Sequence, residues 1–579
     1  MNMSNFLKQV DKIIDKCSKE QLIAFVHDTA RKLPEGERDD FVNKLQAVLN
    51  NEKNNSNKGM DDNFKEIYSQ LNKALVQIEE GDKCLREEVN EEYDEWYNPD
   101  VNELYYEDPE NIFSIIVDAY NFVHKCIDIE AYKEAKELGT RLFDLEIWTY
   151  GEFGDNNVSI NDLVCNDSIN INMKKLALDV IYAIYNTVNI EDKLEYIYDI
   201  ICKSEVSDLC IENLMQHGED ELKEFEGFLV KWTEYLGNIT GELAYRLFSE
   251  AIELRNDVDS AFNYAKKYVS THPRLFVNLL NNPSINDYKK YIEIGTEGIK
   301  LIDKKYKIRS EVALKTAEYA LCINNKKFAD ECYISAFESN TNAVNYLRVL
   351  LNSADNMDKK QQIQNILNAK IKGNACNVVT SVNSELSENI LSKNMYYVLK
   401  FLDGQFMEVV SNGMRVKEAL GWSSTFVKQG ISLFTLYLYD GESLGKGIIQ
   451  MIENTRIAFG FDKKTYIKGL NKQITQDDNG LFYECFKFWK NTVYLEKADK
   501  EKIVKKIEEL IEKRVDGIME TNRRNYYGEC ALFIAALGEV KESMGQAGAK
   551  QKYMEYYRQK YSRRSAFKSE LQVYGLIKM

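Results

Sequence analysis

The chain has 579 residues, 44% of them hydrophobic and 29% charged, and a formal net charge of −17. That is ordinary for a soluble globular protein with length enough for several domains, and no run approaches the roughly 18 apolar residues of a membrane span. The eleven cysteines stand singly and are odd in number, which excludes a tight disulfide framework and points to reduced thiols in a cytosol, packed as small apolar core residues.

Proline is the sharpest compositional signal. Five occur, at positions 34, 99, 109, 273 and 283, so the last 296 residues hold none. Proline costs a helix interior about 3 kcal/mol, because it lacks the N–H and clashes with the preceding turn. A proline-free tail with Lys, Glu, Leu, Ile and Ala spread through it is expected to run helix after helix. Charge is also split along the chain. Residues 51–250 carry 17 Lys and Arg against 45 Asp and Glu, whereas 251–579 carry 50 against 39. An acidic front and a basic rear suit a charged partner or head-to-tail contact between copies; solvated helix faces account for the split as well.

In chain order, Met1 to Ile14 bears Lys8, Asp11 and Lys12 in an amphipathic pattern, without a signal peptide's apolar core. Phe6, Val10, Ile13 and Ile14, then Leu22, Ile23, Phe25 and Val26 after Ser18, then Phe41, Leu45 and Val48 predict three short helices. They form a small N-terminal module, 1–50. The polar, Asn-rich residues 51–63 read as a linker, and Phe64–Ile78 as an amphipathic helix. Residues 86–110 are the oddest segment: eleven carboxylates, one basic residue, four tyrosines, Trp96 and two prolines. They are expected to be a long exposed loop, with Tyr93, Trp96, Tyr97, Tyr105 and Tyr106 as candidate partner contacts.

Further on, Ile129–Ala135 (IEAYKEA), Asn324–Ala329 (NNKKFA) and, more loosely, Phe401–Phe406 share one cadence: a turn, then an aromatic followed by a small residue. Ala313, Ala317 and Ala320 precede the second example. Small residues let two helices approach while the ring covers the groove. The cadence resembles the opening of the second helix in tetratricopeptide-type hairpins. The aromatics at 132, 328 and 406 keep no fixed period, so the resemblance implies an irregular α-solenoid. Residues 64–375 are assigned to it, and 376–579 to a C-terminal helical domain beyond a break at 371–383. In that domain Lys500–Ile518 carries Ile503, Ile507, Leu510 and Ile511 on one face, and Ile431–Tyr439 is read as a buried helix despite its alternation.

Chemistry is sparse. Only four histidines occur, at 27, 124, 217 and 272, and Cys202, Cys210 and His217 fit no standard zinc spacing. Gly441–Gly447 (GESLGKG) is one residue short of a phosphate loop and lacks its Ser or Thr, so it reads as an interhelical turn. Neither a nucleophile elbow nor a dinucleotide fingerprint is present. No catalytic residue, metal or cofactor is expected.

The tail is richer in candidate contacts. Arg523, Arg524 and Tyr526 precede an apolar run, and Tyr553, Tyr556, Tyr557, Arg563, Arg564 and Phe567 mix rings with cations. Residues 551–579 carry seven positive charges against two negative. Such a mixture can track a nucleic-acid backbone and stack on bases, or it can seal the end of a helical core; the cap is preferred. Leu420-Gly421-Trp422-Ser423-Ser424, Glu512–Asp516 (EKRVD), Arg523–Tyr527 (RRNYY), Ala535-Ala536-Leu537 and the pattern from Tyr557 to Leu571 resemble the C-terminal helical-repeat region of bacterial SWIM zinc-finger proteins. The finger itself is missing, since no two cysteines lie two apart. The resemblance implies a helical interaction arm, with any finger supplied by another chain.

The fold expected is therefore all-α: an irregular tetratricopeptide-like solenoid with a small N-terminal helical module and a basic C-terminal cap. The function expected is a non-enzymatic scaffold or adaptor for a protein partner in a bacterial cytosolic complex. The alternative is a nucleic-acid-associated accessory protein using Arg523, Arg524, Arg563 and Arg564.

Overall fold

The cadence at Tyr132, Phe328 and Phe406 marks one turn built three times. In the computed structural model, Glu130, Asn324 and Gly404 adopt left-handed backbone, with φ of 61°, 59° and 80°, two residues before the next helix. The N–H groups of Glu130, Asn324 and Gly404 donate to the carbonyls of Ile127, Leu321 and Phe401 at 3.0–3.1 Å. The following N–H groups, of Ala131, Asn325 and Gln405, reach back to Cys126, Ala320 and Lys400 at 2.8–3.0 Å. This paired return is the Schellman closure, which satisfies the last helix carbonyls and reverses the chain within a few residues. Helix Tyr132–Phe143 accordingly lies against Ile112–Asp128, and Lys326–Ser339 against Ile308–Cys322.

The structure describes residues 13–14, 16–32, 41–42, 62–89, 104–151, 156–217, 222–255, 257–353, 356–373 and 386–577. They divide into two compact units, Met1–Asp257 and Val258–Met579. Among the described residues no helix is long and apolar enough to cross a membrane.

In the first unit, helix Lys19–Lys32 begins at Ser18. The Ser18 N–H donates to Gln21 Oε1 (2.8 Å), and the Gln21 N–H to Ser18 Oγ (3.3 Å), a reciprocal cap that fixes the start. The expected neighbours of this helix lie almost wholly outside the described residues, as does the linker up to residue 61. Beyond it, helices Asp62–Glu79, Ile112–Asp128, Tyr132–Phe143, Met173–Thr187 and Ile190–Ser204 pack each on the next, and Phe225–Gly237 pairs with Glu242–Arg255.

One element departs from the all-α expectation. Strands β1 (Leu85–Val89), β2 (Leu104–Glu107), β3 (Ile147–Gly151) and β4 (Asn156–Val158) form a sheet in the order β2-β1-β3-β4. β1 pairs antiparallel with β2 and parallel with β3, whose partner β4 is antiparallel. Both flanks of the expected 86–110 loop are thus strands, and residues 90–103 between them lie outside the described residues.

In the second unit, helices from Val258–Lys267 to Asn356–Gly373 pack mostly in succession, after which the chain gathers around helix Tyr527–Ser543. That helix is buried from Cys530 to Val540, and helix Val427–Leu438 is buried from Gly430 to Leu438, within the segment whose alternation mimicked a strand. The boundary expected at 375/376 is not a division of this unit. Tyr346 Oη and Trp489 Nε1 both donate to the Leu402 carbonyl, at 3.0 and 2.7 Å, and Tyr333 Oη donates to that of Gly469 at 2.9 Å. The buried Arg348 guanidinium donates to the carbonyls of Thr465 (2.6 Å) and Tyr466 (3.3 Å). Buried polar groups joined across residue 375 tie both sides into one core.

Candidate functional site

The two units differ sharply in charge: Met1–Asp257 carries 26 Lys and Arg against 55 Asp and Glu, and Val258–Met579 carries 49 against 37. The sequence-level charge reversal therefore falls at the structural division.

The acidic unit's small sheet presents the most distinctive surface. Alternation along a strand sends successive side chains to opposite faces. Leu85, Glu87, Tyr106, Ile147, Thr149 and Val158 point inward and are buried. Tyr105, Trp148 and Tyr150 lie on the outer face and remain 47%, 45% and 46% exposed. Arg86, on the central strand, stands opposite both Glu107 and Tyr150, while Glu88 stands opposite Tyr105. The Arg86 guanidinium bridges Glu88 (2.7 Å) and Glu107 (3.5 Å). Exposed pairs of this kind contribute about 0–1 kcal/mol, so this one is readily exchanged.

The hidden face fixes the strands. Thr149 Oγ1 donates to Glu87 Oε2 at 3.5 Å and to the Asn156 carbonyl at 3.3 Å. At Gly151 an added Cβ would lie 2.6 Å from the Glu87 carbonyl oxygen, so only glycine lets β3 run this close to β1. Burial, reinforced by Glu87 and Asp162, raises the Tyr106 phenol above its ordinary pKa.

Of the sequence-predicted aromatic contacts, Tyr105 is on this outer face, and Tyr93, Trp96 and Tyr97 lie outside the described residues. Tyr106 is a correction: it faces inward and cannot meet a partner. Trp148 and Tyr150 were missed. Their signal was the buried-exposed alternation Ile147-Trp148-Thr149-Tyr150, too short to stand out in a helical sequence.

The tail divides. Tyr557 and Phe567 are buried, and Phe567 packs edge-on against Tyr527 and Tyr561 with ring centroids at 5.7 and 6.2 Å. Phe567 is therefore core, which corrects its assignment as a contact. Arg564 donates to Asn522 Oδ1 (2.6 Å) and the Met519 carbonyl (2.8 Å), tying two turns together. Lys560 pairs with Glu512 and Asp516, and Arg558 with Glu555. Arg523, Arg524 and Arg563 stay exposed on the turns that Arg564 joins.

The stretches that carry the SWIM resemblance meet in this same unit. Arg514 is stacked on Trp422 and Tyr526, at 5.2 and 5.0 Å from the ring centroids, and pairs with Glu529 at 2.9 Å. This covers Tyr526 and leaves it 37% exposed. These residues lock helices together.

Other candidate chemistry resolves into structure. The carboxylate of Glu539 accepts from the N–H groups of Gly447 (3.2 Å) and Ile448 (2.8 Å), while Lys550 pairs with it at 2.7 Å. A carboxylate thus fills the place a phosphate would take at this helix start. His217 Nε2 lies 2.8 Å from Asp179 Oδ1 and His124 Nδ1 3.3 Å from Oδ2, so two of the four histidines meet one fully buried carboxylate instead of Cys202 and Cys210. Cys126, Cys332, Cys485 and Cys530 are buried, and burial pushes the Cys126, Cys332 and Cys530 thiols up to about 12; Cys165 and Cys202 are exposed, against the expectation of core packing.

Comparison with protein-family models finds no match, and comparison with curated proteins finds none. Among solved structures, the chain was aligned with a circular tandem repeat protein described as having novel repeat topology and enhanced subunit contact surfaces. Identity is 9%, the alignment covers 95% of this chain and 96% of the other, and the TM-score is 0.16. At that score the two do not superpose as one fold, and the helical architecture rests on this chain's own packing.

Proposed function

We propose that this protein is a non-enzymatic helical scaffold that binds a protein partner through the outer sheet face of its acidic unit, within a regulatory, stress or defence complex of a bacterial cytosol. One observation carries the reading: Tyr105, Trp148 and Tyr150 are all about half exposed on one face of a four-stranded sheet. Exposed rings interleaved with charged residues on one face have the composition of an interface. In this reading the buried polar groups serve the frame: Glu539 caps a helix, Asp179 joins two histidines and Arg348 joins two helices. The SWIM resemblance adds a partner that carries the finger.

The test is affinity recovery from lysate with the full chain and with Tyr105→Ala/Trp148→Ala/Tyr150→Ala. A protein recovered by the parent and lost by the variant, with unchanged circular dichroism, supports the reading; identical recovery overturns it.

A second reading uses Arg523, Arg524 and Arg563, which share one exposed end of the basic unit. There the protein would associate with nucleic acid. A gel shift at about 50 mM salt, where phosphate contacts are strongest, decides it, and no shift there ends it.

A further inference from the structure

We propose that the partner contributes an extended, Lys/Arg-bearing segment, added as a further strand along the outer edge of β2, where it meets Tyr105 at the margin of the outer face. The inference rests on the scaffold reading and gives the partner's chemistry. Among the described residues β2 ends the sheet, with β1 on one side and no strand on the other. An edge strand offers unpaired N–H and C=O groups to an incoming chain, and alternate side chains of that chain then share a face with the sheet.

On this sheet the shared face is the aromatic one. A strand laid beside β2 sets its outward side chains next to Tyr105 and Glu107, with Glu88 one strand further in. A ring beside carboxylates selects a cation, which meets the π face and the negative charge together. Arg86 already shows the fit: its guanidinium sits on this face between Glu88 and Glu107. The surrounding unit has 55 carboxylates against 26 cations, so a basic segment is attracted from a distance and an acidic one repelled. Four paired positions on β2 give few backbone bonds, so the side chains must carry the selectivity.

The test uses the full chain and two ten-residue peptides, one alternating Lys with Val and the other Glu with Val. Tryptophan emission follows binding, with Trp148→Phe as the control for its source, and amide hydrogen exchange locates it. The Lys peptide is expected to bind saturably, to protect Leu104–Glu107 from exchange, and to weaken with salt. Glu88→Lys/Glu107→Lys should weaken it about tenfold or more, and Tyr105→Ala, an exposed change that leaves the fold intact, should weaken it as well. Equal affinity for the Glu peptide, no protection in β2, or indifference to both variants overturns the proposal. Should the lysate partner depend on the three rings while the Lys peptide does none of this, the cationic strand falls and the scaffold reading stands. Peptide binding with no ring-dependent partner does the reverse.

Discussion

The acidic unit's sheet and the basic unit's central ring cluster place aromatic side chains in opposite ways. In the basic unit one set of rings turns inward: Phe401, Phe406, Phe434, Tyr437 and Trp489 form one buried cluster with centroids 4.6–6.0 Å apart along its contacts. Helices buried on all sides, such as Val427–Leu438, leave such rings nowhere else to go. In the acidic unit four short strands interrupt the helices, and strand alternation holds Tyr105, Trp148 and Tyr150 at the surface while Tyr106 turns inward. A ring at an outward strand position is available to a partner; one on a buried helix builds the frame.

The difference is open to direct attack. Trp489→Ala removes the largest ring of the inward cluster and the bond to Leu402, and is expected to cost about 3–5 kcal/mol. In hydrogen exchange of the full chain the loss of protection should be confined to the second unit; a cost under about 1 kcal/mol would break the contrast. Asp179→Ala, in the acidic unit, strips two histidines of a buried partner and should cost about 2–3 kcal/mol by urea denaturation. Glu539→Gln loosens the cap over Gly447 and Ile448 at about 1–2 kcal/mol, with faster exchange at the start of helix Lys446–Phe459 as its signature.

A smaller effect concerns pH. Burial raises the pKa of Glu250 above its ordinary 4.5, although its carboxylate accepts from the N–H groups of Ile211 (3.1 Å) and Glu212 (2.7 Å). The folded chain therefore takes up this proton before the unfolded chain does. Its contribution rises as pH falls from neutral through the folded pKa and levels off below 4.5. Glu250→Gln should remove that slope, read from the parent-minus-variant difference in stability across pH. Smallest of all is the effect of Tyr105→Phe on stability by urea denaturation, within about 0.5 kcal/mol, because the ring stays in place.

Much of this architecture could be read in advance. The absence of proline after Pro283 announced the helices, and the shared cadence at Tyr132, Phe328 and Phe406 announced a turn that proves identical down to its hydrogen bonds. The buried helix read at Ile431–Tyr439 was legible from its isolation, and it ends at Leu438 with Tyr439 as its cap. The sheet was not. β1 places Glu87 at an inward position, which hides its alternation, and its parallel partner β3 lies 62 residues further on, past a helical hairpin. The boundary near 375 misled for a related reason. A polar stretch in sequence says nothing of Tyr346 and Trp489 meeting at one carbonyl on its far side. The candidate site was half visible: Tyr105 stood out for its acidic company, while Trp148 and Tyr150 were screened by helical surroundings.

The central claim is that partners meet the acidic unit's outer sheet face. The most direct test places a photo-crosslinking amino acid at Tyr105 or Tyr150 of the full chain, with Tyr494 in the basic unit, 82% exposed, as the control. Irradiation in cells is expected to give a discrete protein adduct from positions 105 and 150, absent at 494 and lost with Glu88→Lys/Glu107→Lys. Adducts from 105 and 150 no more discrete than those from 494 would contradict the account.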